Sequence, residues 1–136
     1  MASVPTFGAE APAPSGPLEA GDRAPDFFLP DRRDVFVSLY DKIKGGPVVV
    51  AFLPDGDPAA ARERALFVAA AKHFQAAGAH LFLVASGTPA ALAGDAAKAG
   101  EAAWLVADSK GRVARRYGVP GRAVAFVLDP NARVRA

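Results

Sequence analysis

Residues 47–78, PVVVAFLPDGDPAAARERALFVAAAKHFQAAG, decide the fold of this chain. They open with a continuous apolar run at 48–53, β-branched at its start, which predicts a strand covered on both faces. Asp57 is a good helix N-cap and Pro58 a good first helical residue, and Gly78 is a natural residue for ending a helix. The stretch therefore predicts a buried strand, a tight turn and a long helix.

The predicted long helix has one apolar face. Its members recur at helical spacing and are Leu66, Phe67, Ala70, Phe74 and Ala77. We expect this face to pack on the sheet and the charged residues Arg62, Glu63 and Lys72 to lie away from it.

The rest of the chain alternates strands with helices. Further strands are predicted at 26–30, 35–39, 80–85, 103–107 and 124–128, and further helices at 39–43, 89–99 and 112–117. Such alternation implies right-handed crossovers and a parallel core. A final hairpin, with a last strand at 133–136, breaks the alternation, so the fold class predicted is α/β with a central mixed sheet flanked by helices.

One folded domain is predicted at 21–136, after a flexible tail at 1–20. The tail is rich in Pro, Ala, Gly and Ser and has little periodicity. The remaining length, with 51% hydrophobic residues in the chain, suffices for one core. The last predicted strand has nothing after it to cover it, so we expect a C-terminal helix, or a further domain, to be missing from this sequence.

Composition excludes several classes of function. The chain has no cysteine, which rules out disulfides, thiolate catalysis and iron–sulfur or zinc–thiolate sites within it. The net charge is only +2, and no Lys/Arg run is interleaved with aromatic residues, so we expect no nucleic-acid partner. No apolar stretch approaches about 18 residues, and the N-terminus lacks a signal-peptide pattern. We therefore expect no membrane partner and a cytoplasmic location.

Four polar residues could suggest a metal or acid–base site. Asp55 and Asp57 lie close together, but Asp57 is more simply a helix cap and Asp55 a turn residue. His73 and His80 have no carboxylate at ligand spacing. We therefore predict structural or surface roles for all four, and no metal.

Two other features are also explained by structural or surface roles. Trp104, in an apolar strand, is assigned to the core rather than to a ligand platform. The group Arg112, Arg115 and Arg116 is interpreted as a solvated helix face rather than a binding patch. No glycine-rich phosphate loop precedes a helix, so no cofactor is expected.

Four motifs, in chain order, resemble one known family. They are GDRAPDFFL at 21–29, PVVVAFLP at 47–54, DSKGRVARRYGV at 108–119 and FVLDP at 126–130. Together they resemble the peroxiredoxins of the alkyl hydroperoxide reductase/thiol-specific antioxidant branch. The resemblance covers about 21–136 and implies a thioredoxin-like fold.

The resemblance also implies where an active site would lie. The family motif P-x-x-x-T/S-x-x-C begins at Pro54, which places Pro58 at the hydroxyl position and Ala61 at the cysteine position. The family's arginine falls on Ala123; Arg122 is one residue off, and in an extended strand it would point to the opposite face unless a bulge intervened. Alanine cannot be a nucleophile at any pKa, so we predict no catalytic residue. The vestigial site positions are Pro54, Asp57, Pro58, Ala61, Arg122 and Ala123.

Three hypotheses for function follow. The first is a peroxiredoxin-like domain that has lost thiol-peroxidase chemistry and acts as a structural or interaction module with a protein partner or an appended domain. The second is the N-terminal piece of a larger redox enzyme or oxygenase whose catalytic domain lies beyond Ala136. The third is an enzyme of another kind that uses a pocket between Pro54, Pro58 and Ala123. A homodimer is a further alternative, with the edge at 133–136 as a contact.

Overall fold

A computed structural model describes residues 16–43 and 45–136 of the chain. The elements alternate as the sequence predicts. In order they are β1 (Phe28–Pro30), β2 (Phe36–Ser38), α1 (Leu39–Lys42), β3 (Val48–Leu53), α2 (Pro58–Ala76), β4 (His80–Ala85), α3 (Ala93–Ala99), β5 (Trp104–Ala107), α4 (Arg112–Arg116) and β6 (Val124–Leu128). Short 3₁₀ turns at Pro89–Leu92 and Gly100–Ala102 flank α3.

The central sheet is mixed, which confirms the predicted class. Its strand order is β5-β4-β3-β6, with β3 parallel to β4, β4 parallel to β5, and β6 antiparallel to β3. Val50 at the middle of β3 pairs with Phe82 on one side and Phe126 on the other. Strands β1 and β2 form a separate antiparallel hairpin, and β1 contacts β5.

Strand β3 is covered on both faces. Phe52 belongs to a cluster under the hairpin and α4, where its ring lies 4.9 Å from the ring of Tyr117. Ala51 and Leu53 belong to a second cluster under α2 and α3. Side chains alternate between the faces of a strand, so a continuous apolar run is what a strand between two cores requires.

The buried face of α2 differs from the predicted one. Leu66 is 70% exposed and Ala77 is exposed, whereas Val68 and Ala71 are buried. Phe67 and Phe74 pack at the margin of the second cluster. The small side chains of Ala60 and Ala71 let the helix backbone lie close to the sheet, so the buried line passes through small residues and not through the largest ones.

The predicted last strand at 133–136 forms only single bridges. Val134 bridges Leu128 of β6 and donates its N–H to the carbonyl of Asp22 at 2.8 Å. The segment thus lies between β6 and residues 21–24, hydrogen-bonded on both sides. The described residues after β6 contain no helix.

The predicted tail at 1–20 lies mostly outside the described residues, which begin at Gly16. Within the described part, the N–H of Leu18 donates to the carbonyl of Tyr117 at 3.2 Å, and Leu18 packs on the first core cluster. Contacts with the core therefore begin before Gly21.

Candidate functional site

The vestigial positions lie at the carboxyl ends of β3 and β4. Pro54 directly follows β3, and Ser86 directly follows β4. Ligands of open α/β sheets bind at this edge, where the strands end and the helices begin. The positions singled out in the sequence therefore lie at the edge of the sheet where proteins of this architecture bind ligands.

Asp57 joins two distant parts of this region. Its Oδ1 accepts the N–H of Ala59 at 3.0 Å, which makes it the predicted N-cap of α2. Its Oδ2 accepts the N–H of Ala123 at 3.2 Å, just before β6. One carboxylate thus ties the start of α2 to the segment that enters β6. The cap has a local sequence signal; the second bond spans 66 positions and has none.

Pro58 and Ala61 offer no reactive group. Pro58 is the first residue of α2 and is exposed. Ala61 is exposed and lines an open groove beside α2 and α3, together with Arg64 and Lys98. There the guanidinium Nε of Arg64 lies 3.3 Å from Oδ2 of Asp95 in a partly exposed ion pair. The groove is lined by charged and apolar side chains, and none of its lining residues carries a thiol or a hydroxyl group.

Arg122 and Ala123 lie in different surroundings. Arg122 precedes β6, so strand alternation does not set its direction, and it lines a cavity of about 150 Å³ together with Pro54. Ala123 is partly buried and packs on the second core cluster. Ala61 lines the separate groove beside α2. The structure thus brings Arg122 to Pro54 and leaves the cysteine position on another surface.

Two polar side chains of this cavity, those of Ser86 and Asp108, already have structural partners. Ser86 Oγ accepts the N–H of Asp55 at 2.6 Å. The buried carboxylate of Asp108 accepts the N–H groups of Val113 at 3.3 Å and Ala114 at 2.9 Å, at the start of α4. Within the described part of the chain, no hydrogen bond joins Ser86 to a histidine or a carboxylate. The cavity therefore lacks the nucleophile–base pair of covalent catalysis.

Tyr117 is the most deeply buried ionisable side chain of the core. Its hydroxyl donates to the carbonyl of Pro25 at 2.6 Å. Burial raises the pKa of this phenol far above its usual range. Tyr117 is therefore a neutral core residue and takes no part in proton transfer at ordinary pH.

Residues 16–43 and 45–136 contain neither a cluster of metal ligands nor a membrane-spanning helix. No group of three or more His, Asp or Glu side chains there could hold a metal ion. His73 lies on α2 and His80 at the start of β4. In the same residues no helix is both long enough and apolar enough to cross a bilayer.

Trp104 is only partly in the core. Its ring stacks on Phe82 with centroids 6.4 Å apart, and Nζ of Lys42 lies 4.6 Å from the centre of the indole. The predicted core role is therefore right for one side of the ring, and a lysine covers part of the rest.

The chain is similar to known proteins along most of its length. A family model described as AhpC/TSA family matches residues 20–136. Peroxiredoxin Q, chloroplastic, of Oryza sativa subsp. japonica is 34% identical over 130 residues, which are 88% of this chain and 58% of the relative. The corresponding protein of Gentiana triflora is 32% identical over 127 residues, or 87% and 58%. The chain thus spans 58% of the length of either relative.

Solved structures show the same similarity. The crystal structure of peroxidoxin BcpB from Mycobacterium tuberculosis superposes with a TM-score of 0.74 at 27% identity. The match covers 86% of this chain and 82% of that one. The predicted peroxiredoxin resemblance and the thioredoxin-like fold are both confirmed.

Proposed function

Since this chain belongs to the AhpC/TSA family, we propose that it is a peroxiredoxin-family domain without thiol-peroxidase chemistry, which acts by binding another protein. The observation that carries the proposal is the residue at the cysteine position. Ala61 presents a methyl group there, and the chain contains no cysteine elsewhere. Peroxide reduction by this family needs a thiolate that becomes a sulfenic acid, and a methyl group cannot replace it.

Asp57 supports the same conclusion through electrostatics. A helix N-terminus favours a thiolate because its free N–H groups carry partial positive charge. At the start of α2 the carboxylate of Asp57 already accepts the N–H of Ala59, and it also accepts that of Ala123. The carboxylate of Asp57 therefore offsets the positive potential of the helix N-terminus, which would otherwise stabilise a thiolate.

The groups that would orient a peroxide are also replaced. Pro58 has no hydroxyl and Ala123 has no guanidinium. Arg122 lines the cavity at Pro54, whereas Ala61 lines the groove beside α2. A peroxide held near Arg122 would thus find no thiol in its own cavity.

Both faces of the sheet beside this site are packed, which supports a binding role. Phe27, Phe52, Tyr117 and Phe126 form one aromatic cluster on the first face of the sheet. The opposite face is covered by α2 and α3. A packed domain with no thiol at the reactive position can still present its surface to a partner.

The test is hydroperoxide consumption by the purified chain with dithiothreitol as reductant. We expect hydrogen peroxide and cumene hydroperoxide to disappear at the rate of the protein-free mixture. Consumption that exceeds this blank and scales with the amount of protein would overturn the proposal.

A further inference from the structure

The β1–β2 hairpin presents two large apolar side chains to solvent. Phe28 is 64% exposed and Phe36 is 65% exposed. In the hairpin register Pro30 pairs with Phe36 and lies two residues from Phe28, so the three share one face. Single exposed apolar residues are ordinary, but neighbouring exposed phenylalanines on one hairpin face are a feature of interaction surfaces.

The two phenylalanines border a groove whose other wall is basic. The groove lies between the hairpin and the turn that leads into α4, and its volume is about 660 Å³. Lys110, Arg112 and Arg116 line that opposite wall. Lys110 and Arg112 are exposed, and Arg116 is partly buried. Two residues assigned to a solvated helix face thus stand across from an apolar surface.

These cations have no anionic partner within the described residues. None of the three forms an ion pair there, and Nη1 of Arg116 donates to the backbone carbonyl of Asp26 at 3.3 Å. Their charge is therefore available to a ligand.

The two carboxylates that line the groove serve the protein's own structure. Asp26 accepts the N–H of Tyr40 at 2.9 Å and the hydroxyl of Ser38 at 3.1 Å. Asp108 accepts two backbone N–H groups at the start of α4. Both carboxylates are thus held by internal donors, and within the described residues neither forms an ion pair with the basic wall.

We propose that this groove binds an extended acidic segment of a partner protein. Apolar side chains of the segment would lie on Phe28 and Phe36, and its carboxylates would pair with Lys110, Arg112 and Arg116. Aromatic residues, phenylalanine included, and arginine are enriched at the core of protein–protein interfaces. The inference rests on the proposed function only in taking binding as the role of the domain, because the groove itself is independent of residue 61.

The geometry disfavours other occupants. A two-fold dimer through this face would bring both basic walls into one interface and add no new anionic side chain for them to pair with. Nucleic acid and lipid head groups would bring phosphates close to Asp26 and Asp108, whereas a peptide brings N–H donors as well as carboxylates. Three cations also neutralise few phosphates, and affinity for nucleic acid depends on that number.

The test is fluorescence anisotropy of a labelled peptide of alternating glutamate and leucine, titrated with the full chain. We expect saturable binding that weakens as salt is added. The pairs of substitutions F28T/F36T and K110E/R112E should each weaken it by about tenfold or more. Leu66→Thr, at an equally exposed apolar residue of α2, and the charge reversal R62E/K72E should leave it unchanged.

Four results would overturn the groove proposal. They are absence of saturable binding, variants that fold by circular dichroism and bind as the wild type does, tighter binding of oligothymidylate or of phosphatidylserine–phosphatidylcholine vesicles through the same residues, and a dimer that F28T/F36T dissociates. A chain that bound the peptide and also consumed hydroperoxide would keep the groove and overturn only the lack of peroxidase chemistry. The two proposals therefore fail separately.

Discussion

The carboxylate of Asp57 accepts the backbone N–H of Ala123 at 3.2 Å, although 66 positions separate the two residues. The same side chain caps α2 through Ala59. Asp57 therefore holds together, from within, the two segments between which a peroxidase of this family would bind its peroxide. Both hydrogen bonds of this carboxylate are structural, since each joins it to a backbone N–H group.

Asp57→Ala should destabilise the domain by about 1–2 kcal/mol, because it removes the helix cap and the bond to Ala123. Asp57→Asn keeps an acceptor oxygen and should cost less. The measurement is urea unfolding followed by circular dichroism. Asp55→Ala is the matched control, since Asp55 makes an exposed ion pair with Arg64 at 3.7 Å, worth little. An equal loss of unfolding free energy in Asp55→Ala and Asp57→Ala would contradict the structural role of Asp57.

Introducing sulfur at residue 61 should not create a reactive thiol. In Ala61→Cys we expect a thiol pKa at or above about 8.5, because the carboxylate of Asp57 caps the N-terminus of the same helix. Adding Asp57→Asn to this variant should lower the thiol pKa. The measurement is the pH dependence of alkylation by iodoacetamide, with Ala65→Cys, one turn further along α2, as control. A pKa well below that of the control in the single variant would show that the site still activates thiolates.

Tyr117 should make the domain sensitive to alkaline pH. Burial raises the pKa of its phenol, so the folded chain keeps a proton that the unfolded chain releases above its ordinary pKa of 10.0. The unfolded state then binds fewer protons, and the free energy of unfolding falls as the pH rises above 10.0.

Tyr117→Phe should remove that alkaline loss. At neutral pH the variant should cost about 0.5–1.5 kcal/mol, because it leaves the carbonyl of Pro25 without its donor. The measurement is the urea midpoint of both proteins from neutral pH to above 10.0. Parallel profiles for the two proteins would contradict the assignment.

Asp129 should make the stability of the domain depend on pH in the acid range. The N–H of Arg133 above all, then the N–H of Asn131 and the charge of Arg135, hold the pKa of Asp129 below its ordinary value of 3.8. Its contribution is therefore complete above 3.8 and is lost as the pH falls through the folded-state pKa. Asp129→Asn should flatten the acid limb of the stability profile, measured by urea unfolding. An acid limb as steep as that of the wild type would count against it.

Much of the fold can be predicted from local pattern. The β3–α2 unit can be predicted from three local signals, which are the apolar run of β3, the N-cap Asp57 and Pro58 at the first helical position. The buried face of α2 cannot be predicted in this way. Many residues of the helix are alanine, so the size of an apolar side chain does not indicate whether it is buried. Leu66 is the result, a large apolar residue that lies in solvent.

The residue types at the candidate site can be identified from the sequence, whereas their positions relative to one another cannot. The absence of sulfur at Ala61 can be seen directly in the sequence. The position of Arg122 cannot, because it lies before β6, where strand alternation does not apply. The groove at Phe28 and Arg112 has no sequence signal either, since its walls come from the hairpin and α4, which meet only in the folded chain.

The initial rate of hydrogen peroxide loss, measured at increasing concentrations of the wild-type chain with dithiothreitol present, tests the central claim most directly. The account predicts a rate equal to that of the protein-free mixture at every concentration, because no residue of the chain can form a sulfenic acid. A rate that rises in proportion to the concentration of the chain would contradict it and would show that a residue other than a thiol reduces peroxide.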